Sequence, residues 1–303
     1  MTLSTGAVYD RGYRPYDGAR GGRRAAVGAL YRASIRRALG LRRSWRQKAF
    51  PWTLLTIATV PAIVNVGIGY VTRDTPAEGF EFITYREYVG VSTALLLFVA
   101  LTAPDVICPD RRQRVLPVIF ARPLVGSDYV LAKVGAIATI VFAFGFLPQV
   151  VLFVGRLLVS DAALDYFRDN AEVLWQVPVA VAVLAAYYAA IGVAAASLST
   201  RRIVGGAIVL GLSLVTSVVS AAITESGDRS AAAFSGTEGS TGALLNLLAM
   251  PLHLRDLIFL GHIDPESPLG GVDGGGAMAV AVYAGVLGVA LGILLRRYRW
   301  VET

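Results

Sequence analysis

The chain has very few of the residues that enzymes use for chemistry. A single cysteine, Cys108, excludes an intrachain disulfide, and two histidines, His253 and His262, are too few for a structural zinc site. The only lysines are Lys48, after Gln47, and Lys133, after Ala132. No Gly-Lys-Ser/Thr phosphate loop is therefore present, and the chain does not hydrolyse ATP by that machinery. A Gly-x-Ser-x-Gly elbow is also missing, and the long apolar runs carry no Asp, Glu or His away from their ends. That argues against an intramembrane hydrolase and against a carrier driven by its own proton or sodium site.

Charge is scarce too. Charged residues make up 16% of the 303, hydrophobic ones 55%, and the mean hydropathy is +0.60. A soluble domain of that size could not cover its surface from so small a polar supply. What the chain does have is long apolar runs. A helix rises 1.5 Å per residue and a bilayer core is about 30 Å thick, so a span needs roughly 20 apolar residues. The stretches 53–71, 134–155, 177–198, 203–223 and 277–295 qualify, and 87–104 is a shorter sixth bounded by Glu87 and Asp105. Pro61 and Pro148 fall inside spans, where kinks are expected. The expected fold is an all-α polytopic membrane protein with six transmembrane helices. Residues 1–52 form a basic lead and 53–303 the spanning domain.

A seventh stretch, 243–260, carries His253, Arg255 and Asp256 near its middle, just after Pro251. Arg or Asp at the bilayer centre costs about 2.5–3.5 kcal/mol each. A re-entrant hairpin between spans five and six avoids that cost; the alternative is a true span with a buried Arg–Asp pair. The trio itself reads as an interfacial anchor. Ser213, Thr216, Ser217 and Ser220, and the glycines at 285, 288 and 292, are spaced for close helix contact.

The net charge of +7 raises nucleic acid as a partner, but the positions of the charges decide otherwise. With the N-terminus inside, 22 of the 28 basic residues fall on the inner side of a six-span topology, and 15 of the 21 acidic residues fall outside. The basic excess belongs to the cytoplasmic face of a plasma (inner) membrane, with both termini cytoplasmic, and not to nucleic acid. Outer segments 224–242 and 262–276, rich in Gly and Ser, read as flexible loops.

Residues 1–52 hold 12 of the arginines and lysines. Val27, Tyr31, Ser34, Ala38, Leu41, Trp45, Ala49 and Trp52 trace one helical stripe in steps of three and four. Arg36, Arg37 and Arg43 flank it, and Trp45 and Trp52 sit at its end. The pattern predicts an amphipathic helix in the membrane interface, its arginines at lipid phosphates. A soluble helix packed on a partner carries the same stripe.

One charged segment, 105–133, interrupts the apolar sequence. It ends a span with Asp110, Arg111 and Arg112, continues through Leu116, Ile119 and Phe120, and turns at Pro123 before Ser127, Asp128 and Lys133. In this order it resembles the first long cytoplasmic loop of the type-two ABC exporter permeases. The basic lead, the six spans and the broken apolar hairpin are similar to that family, as is "GYRPYDGAR" at 12–20. Arg114-Val115 departs from the Gly-Thr often found there, and Pro117 interrupts the short helix. The resemblance implies that Asp110, Arg111, Arg112, Leu116, Ile119, Phe120, Pro123 and Asp128 form the surface that receives force from a separate ATPase. It also implies a second permease (homo- or heterodimer), two ABC ATPase subunits carrying ATP and magnesium, and no cofactor in this chain itself. Membrane lipids are the remaining partner. A non-transporting membrane anchor of a multiprotein complex stays open as the alternative.

Overall fold

In a computed structural model the chain is described over residues 21–41, 45–73, 83–89, 92–234 and 240–299, the side chains of 45–51, 92 and 226–234 excepted. Its helices are α1 (Arg23–Ala38), α2 (Trp45–Thr72), α3 (Tyr85–Val89), α4 (Ser92–Arg112), α5 (Leu116–Phe120), α6 (Gly126–Val159), α7 (Ala163–Asp169), α8 (Val173–Ser197), α9 (Arg202–Phe234), α10 (Met250–Leu260) and α11 (Gly275–Arg299), with a 3₁₀ turn at Thr241–Leu245. Six of these helical segments are long and apolar enough to cross a membrane: 52–72, 85–112, 126–159, 173–197, 202–225 and 275–299. They contain five of the six stretches expected from the sequence whole, and the other, 177–198, up to Ser197.

Several boundaries move. The stripe over 27–52 is not one helix. α1 stops at Gly40, whose φ of 67° is the left-handed conformation that glycine adopts freely. Gly40 and Leu41 donate to the carbonyls of Arg37 and Arg36, closing the last turn. Trp45 and Trp52 therefore belong to the first spanning helix. α4 continues through Pro104 and Pro109 to Arg112, beyond the expected end at 104. α9 extends to Phe234, well into the segment expected to be a flexible loop. Pro117 does not interrupt α5; it sits in the first turn, where its missing N–H is not needed.

The core is a wedge of α4, α6 and α8, and α8 touches α6, α4, α11, α10, α9 and α3. Small residues set this closeness. A methyl built on Gly192 of α8 would lie 2.1 Å from Cγ1 of Val99 on α4. One built on Gly206 of α9 would lie 2.7 Å from the carbonyl oxygen of Ala100, whose usual helical donor is lost because residue 104 is proline. α2, α9 and α11 form the periphery, with most of their apolar surface uncovered.

The segment 240–261 leaves and re-enters the same end of the bundle. Ser240 N–H donates to the carbonyl of Pro268 at 2.7 Å, joining its entry to the loop that follows its exit. Going inward, Gly242 accepts from Ser220, Asn246 from Ser217, and the Leu248 carbonyl from Tyr188 at 2.6 Å. Ser217 lies fifteen residues, about 22 Å, along α9 from Arg202. The tip thus reaches the middle of the long helices before α10 carries the chain back. Eleven residues of α10 cover only about 16 Å, too few to span. Ser217 and Ser220 bind this segment, while Ser213 and Thr216 donate back within α9.

Candidate functional site

The arginine-rich end of the bundle is built around Asp110, whose side chain is 2% exposed. Its carboxylate accepts from Lys133 Nζ at 2.6 Å and from the Tyr129 hydroxyl at 3.0 Å, and pairs with Arg37 from α1. Lys133 is equally buried and also donates to the Val106 carbonyl at 3.1 Å. The carboxylate is thus met by three donors, the kind of compensation that a desolvated ion pair needs. At the other end of the loop, Arg23 grips both oxygens of Asp128 at 2.7 and 2.8 Å. Asp128 also accepts from Val125 N–H at the start of α6, where a negative charge suits the helix N-terminus. α1 therefore holds the loop at Asp110 and at Asp128, through side chains about 21 Å apart along one helix.

The apolar stripe of α1 packs on the chain's own helices. Its stripe residues Ser34 and Ala38 are buried, with Leu30, Ile35 and Leu39 packed on the core, and the helix lies against α6 and α4. Arg37 turns inward to Asp110 while Arg36 stays exposed. Arg43, the side chain of Trp45 and the segment 12–20 lie outside what the structure describes. Trp52 is half exposed at the start of the first span.

Within the loop, the sequence-predicted residues separate into two sets. Arg111 donates to the carbonyls of Ser197 and Ser199, capping the end of α8, and so acts inside the fold. Leu116, Ile119 and Phe120 are half-buried against the chain's own core, and the Phe120 ring lies 5.9 Å from that of Tyr129. The Tyr129 ring in turn lies 4.8 Å from that of Tyr298 on α11, the two tilted by 43°. The outward side of α5 is Pro117 and Val118, the latter 69% exposed. Arg112 and Pro123 are exposed beside it. Val118 is thus the most exposed large apolar side chain of α5, while Leu116, Ile119 and Phe120 are turned towards the chain's own core. α4 ends in a turn with Arg114 at φ 52°, and Arg114 and Val115 donate to the carbonyls of Arg111 and Asp110. This is the position where a glycine is free of the roughly 1–2 kcal/mol left-handed penalty.

At the opposite end, Arg255 and Asp256 of the expected trio are hydrogen-bonded to each other, and His253 makes no hydrogen bond to either. Arg255 donates to Asp256 at 2.6 Å and to the Arg86 carbonyl at 3.2 Å, and Arg86 pairs with Asp264 at 2.8 Å. These groups fasten α10 and the loop after it to α3. The N–H of Glu266 and the Arg86 guanidinium hold the Asp264 carboxyl below the usual carboxylate range. His253, one turn from Asp256 on α10, is buried with no hydrogen-bond partner on either ring nitrogen, and burial pushes its pKa down. A further polar contact joins α2 to α6, where Arg156 donates to Asn65 at 3.0 Å.

Sequence reasoning missed Arg23, Tyr129, Tyr298, Arg86, Asp264 and Val118. The first five act through pairings between distant segments, for which one sequence holds no signal. Val118 had one available, since it sits two residues from both Leu116 and Phe120 and must face away from them on a helix. Among the described residues no three His, Cys, Asp or Glu side chains converge as metal ligands. No family model and no curated protein matches the chain.

Proposed function

We propose that this multi-pass membrane protein is the permease subunit of an ATP-driven exporter of the type-two ABC kind. It works beside a second permease and draws its energy from two separate ATPase subunits. The supporting observation is α5: a short segment at the arginine-rich end, clamped through Asp110 and Asp128, that directs Val118 outward. Five helical residues cannot persist alone in water, so their fixed position depends on the chain around them. A rigidly mounted apolar contact transmits displacement from a docked partner; a merely basic loop would need no such mounting. Lysine and arginine bias makes this end cytoplasmic, and residues 240–261 then form a re-entrant hairpin from the outer side.

The test is purification of the full chain from membranes where it is natively produced, followed by an ATP hydrolysis assay. A co-eluting subunit with a phosphate loop should hydrolyse ATP, and Val118→Asp should abolish co-elution while leaving the chain's melting temperature unchanged. Purification with no nucleotide-hydrolysing subunit would favour the anchor reading instead.

A further inference from the structure

An apolar cleft of about 560 Å³ opens between α8, α9 and α11, a size typical of sites for amphiphilic small molecules. Its walls are α8 from Ile191 to Leu198, α9 at Leu212 and α11 from Val282 to Ile293. Leu247, at the tip of the 240–261 segment, closes the end remote from the arginines. Along α11 the cleft runs about 16 Å, which is close to half of a bilayer core of about 30 Å. It thus has the length of one leaflet, bounded at mid-membrane by the hairpin tip.

The mouth is basic. Arg296 and Arg297 follow Ile293 by three and four residues and so lie on the same face of α11. Arg201 lies in the turn joining α8 to α9. Arg201 and Arg296 are exposed and have no acidic partner among the described residues. Gly285 lines the cleft, and a Cβ built there meets nothing within 4 Å. The wall is left open by residue choice, not by a misfit.

We propose that this cleft binds one anionic phospholipid from the leaflet on the arginine-rich side, its acyl chain along α11 and its phosphate between Arg201 and Arg296. A second copy of the chain is the competing occupant, and the filling variants below separate the two. The inference needs only the spanning fold and stands whether or not the chain couples to an ATPase.

The full chain, delipidated in detergent, is offered phosphatidylglycerol or phosphatidylcholine with identical acyl chains, and bound lipid is counted by native mass spectrometry. Phosphatidylglycerol should bind preferentially, and Arg201→Gln with Arg296→Gln should lower that preference by about tenfold. Gly285→Leu, or Val289→Trp one turn on, should remove retention of both lipids, and glycerol phosphate without chains should not bind. Three results would overturn the site: equal retention of the two lipids by the unaltered chain, undiminished retention by both filling variants, or filling variants that dissociate a dimer without losing lipid.

Discussion

α8 and α11 are each 25 residues long, are rich in small residues, mainly Ala in α8 and both Ala and Gly in α11, and run in the same direction through the bundle. Yet 78% of the most apolar stretch of α8 is buried, against 17% for α11. In α8 the small residues admit neighbours: Gly192 leaves no room for a methyl against Val99. In α11 the glycines at 285, 288 and 292 meet nothing, although their spacing predicts close helix contact. Small residues thus permit close approach without ensuring it. The contrast divides the protein into a closed wedge of α4, α6 and α8, with its charges neutralised inside, and an open periphery where bilayer components or partners complete the surface.

The sharpest way to break this division is to disturb the wedge at its buried charge. Lys133→Met leaves Asp110 buried with one cation fewer and should cost about 3–5 kcal/mol, read as loss of folded protein in detergent melts. Adding Asp110→Asn to it should recover much of the loss. An overpacking test comes next. Gly192→Val should destabilise by about 1–3 kcal/mol in the same melt, because its β-carbon has nowhere to go.

A smaller effect is expected at the hairpin between the two regions. Burial lowers the pKa of His253 in the fold, whereas the unfolded chain takes up a proton below about pH 6.5. The unfolded state then binds more protons, so stability falls as pH drops through that value and is fully present above it. Melting temperatures measured between about pH 8 and pH 5 should decline, and His253→Leu should flatten the decline. Smallest of all is Gly285→Leu on the open wall, which should be neutral or stabilise by up to about 1 kcal/mol through helix propensity. A loss there as large as that at Gly192 would erase the distinction.

Much of the fold was legible because a membrane span is set by length and hydropathy, and six runs met both. That the seventh stretch is not a span was legible too, because His253, Arg255 and Asp256 are costly at mid-membrane and α10 is too short to cross. What the sequence did not disclose were choices between equivalent partners. The stripe over 27–52 is continuous, and only the left-handed turn at Gly40 divides it. Arg37 is as suited to a lipid phosphate as to Asp110, and a separation of 73 positions along the chain gives no hint of the pairing. In α5 the choice was between faces of a single turn: Leu116, Ile119 and Phe120 satisfy the core, so the outward contact falls to Val118.

The outward contact carries the functional account, and one cross-linking measurement tests it directly. Replacing Cys108, the chain's single cysteine, with serine allows a lone cysteine to be placed at Val118 on α5 or at Leu164 on α7, which is 73% exposed at the opposite end. With a short bifunctional reagent on the natively purified assembly, Val118→Cys should join to a nucleotide-hydrolysing subunit and Leu164→Cys should not. Cross-linking to that subunit from Leu164→Cys alone would contradict the assignment of α5 as the docking face.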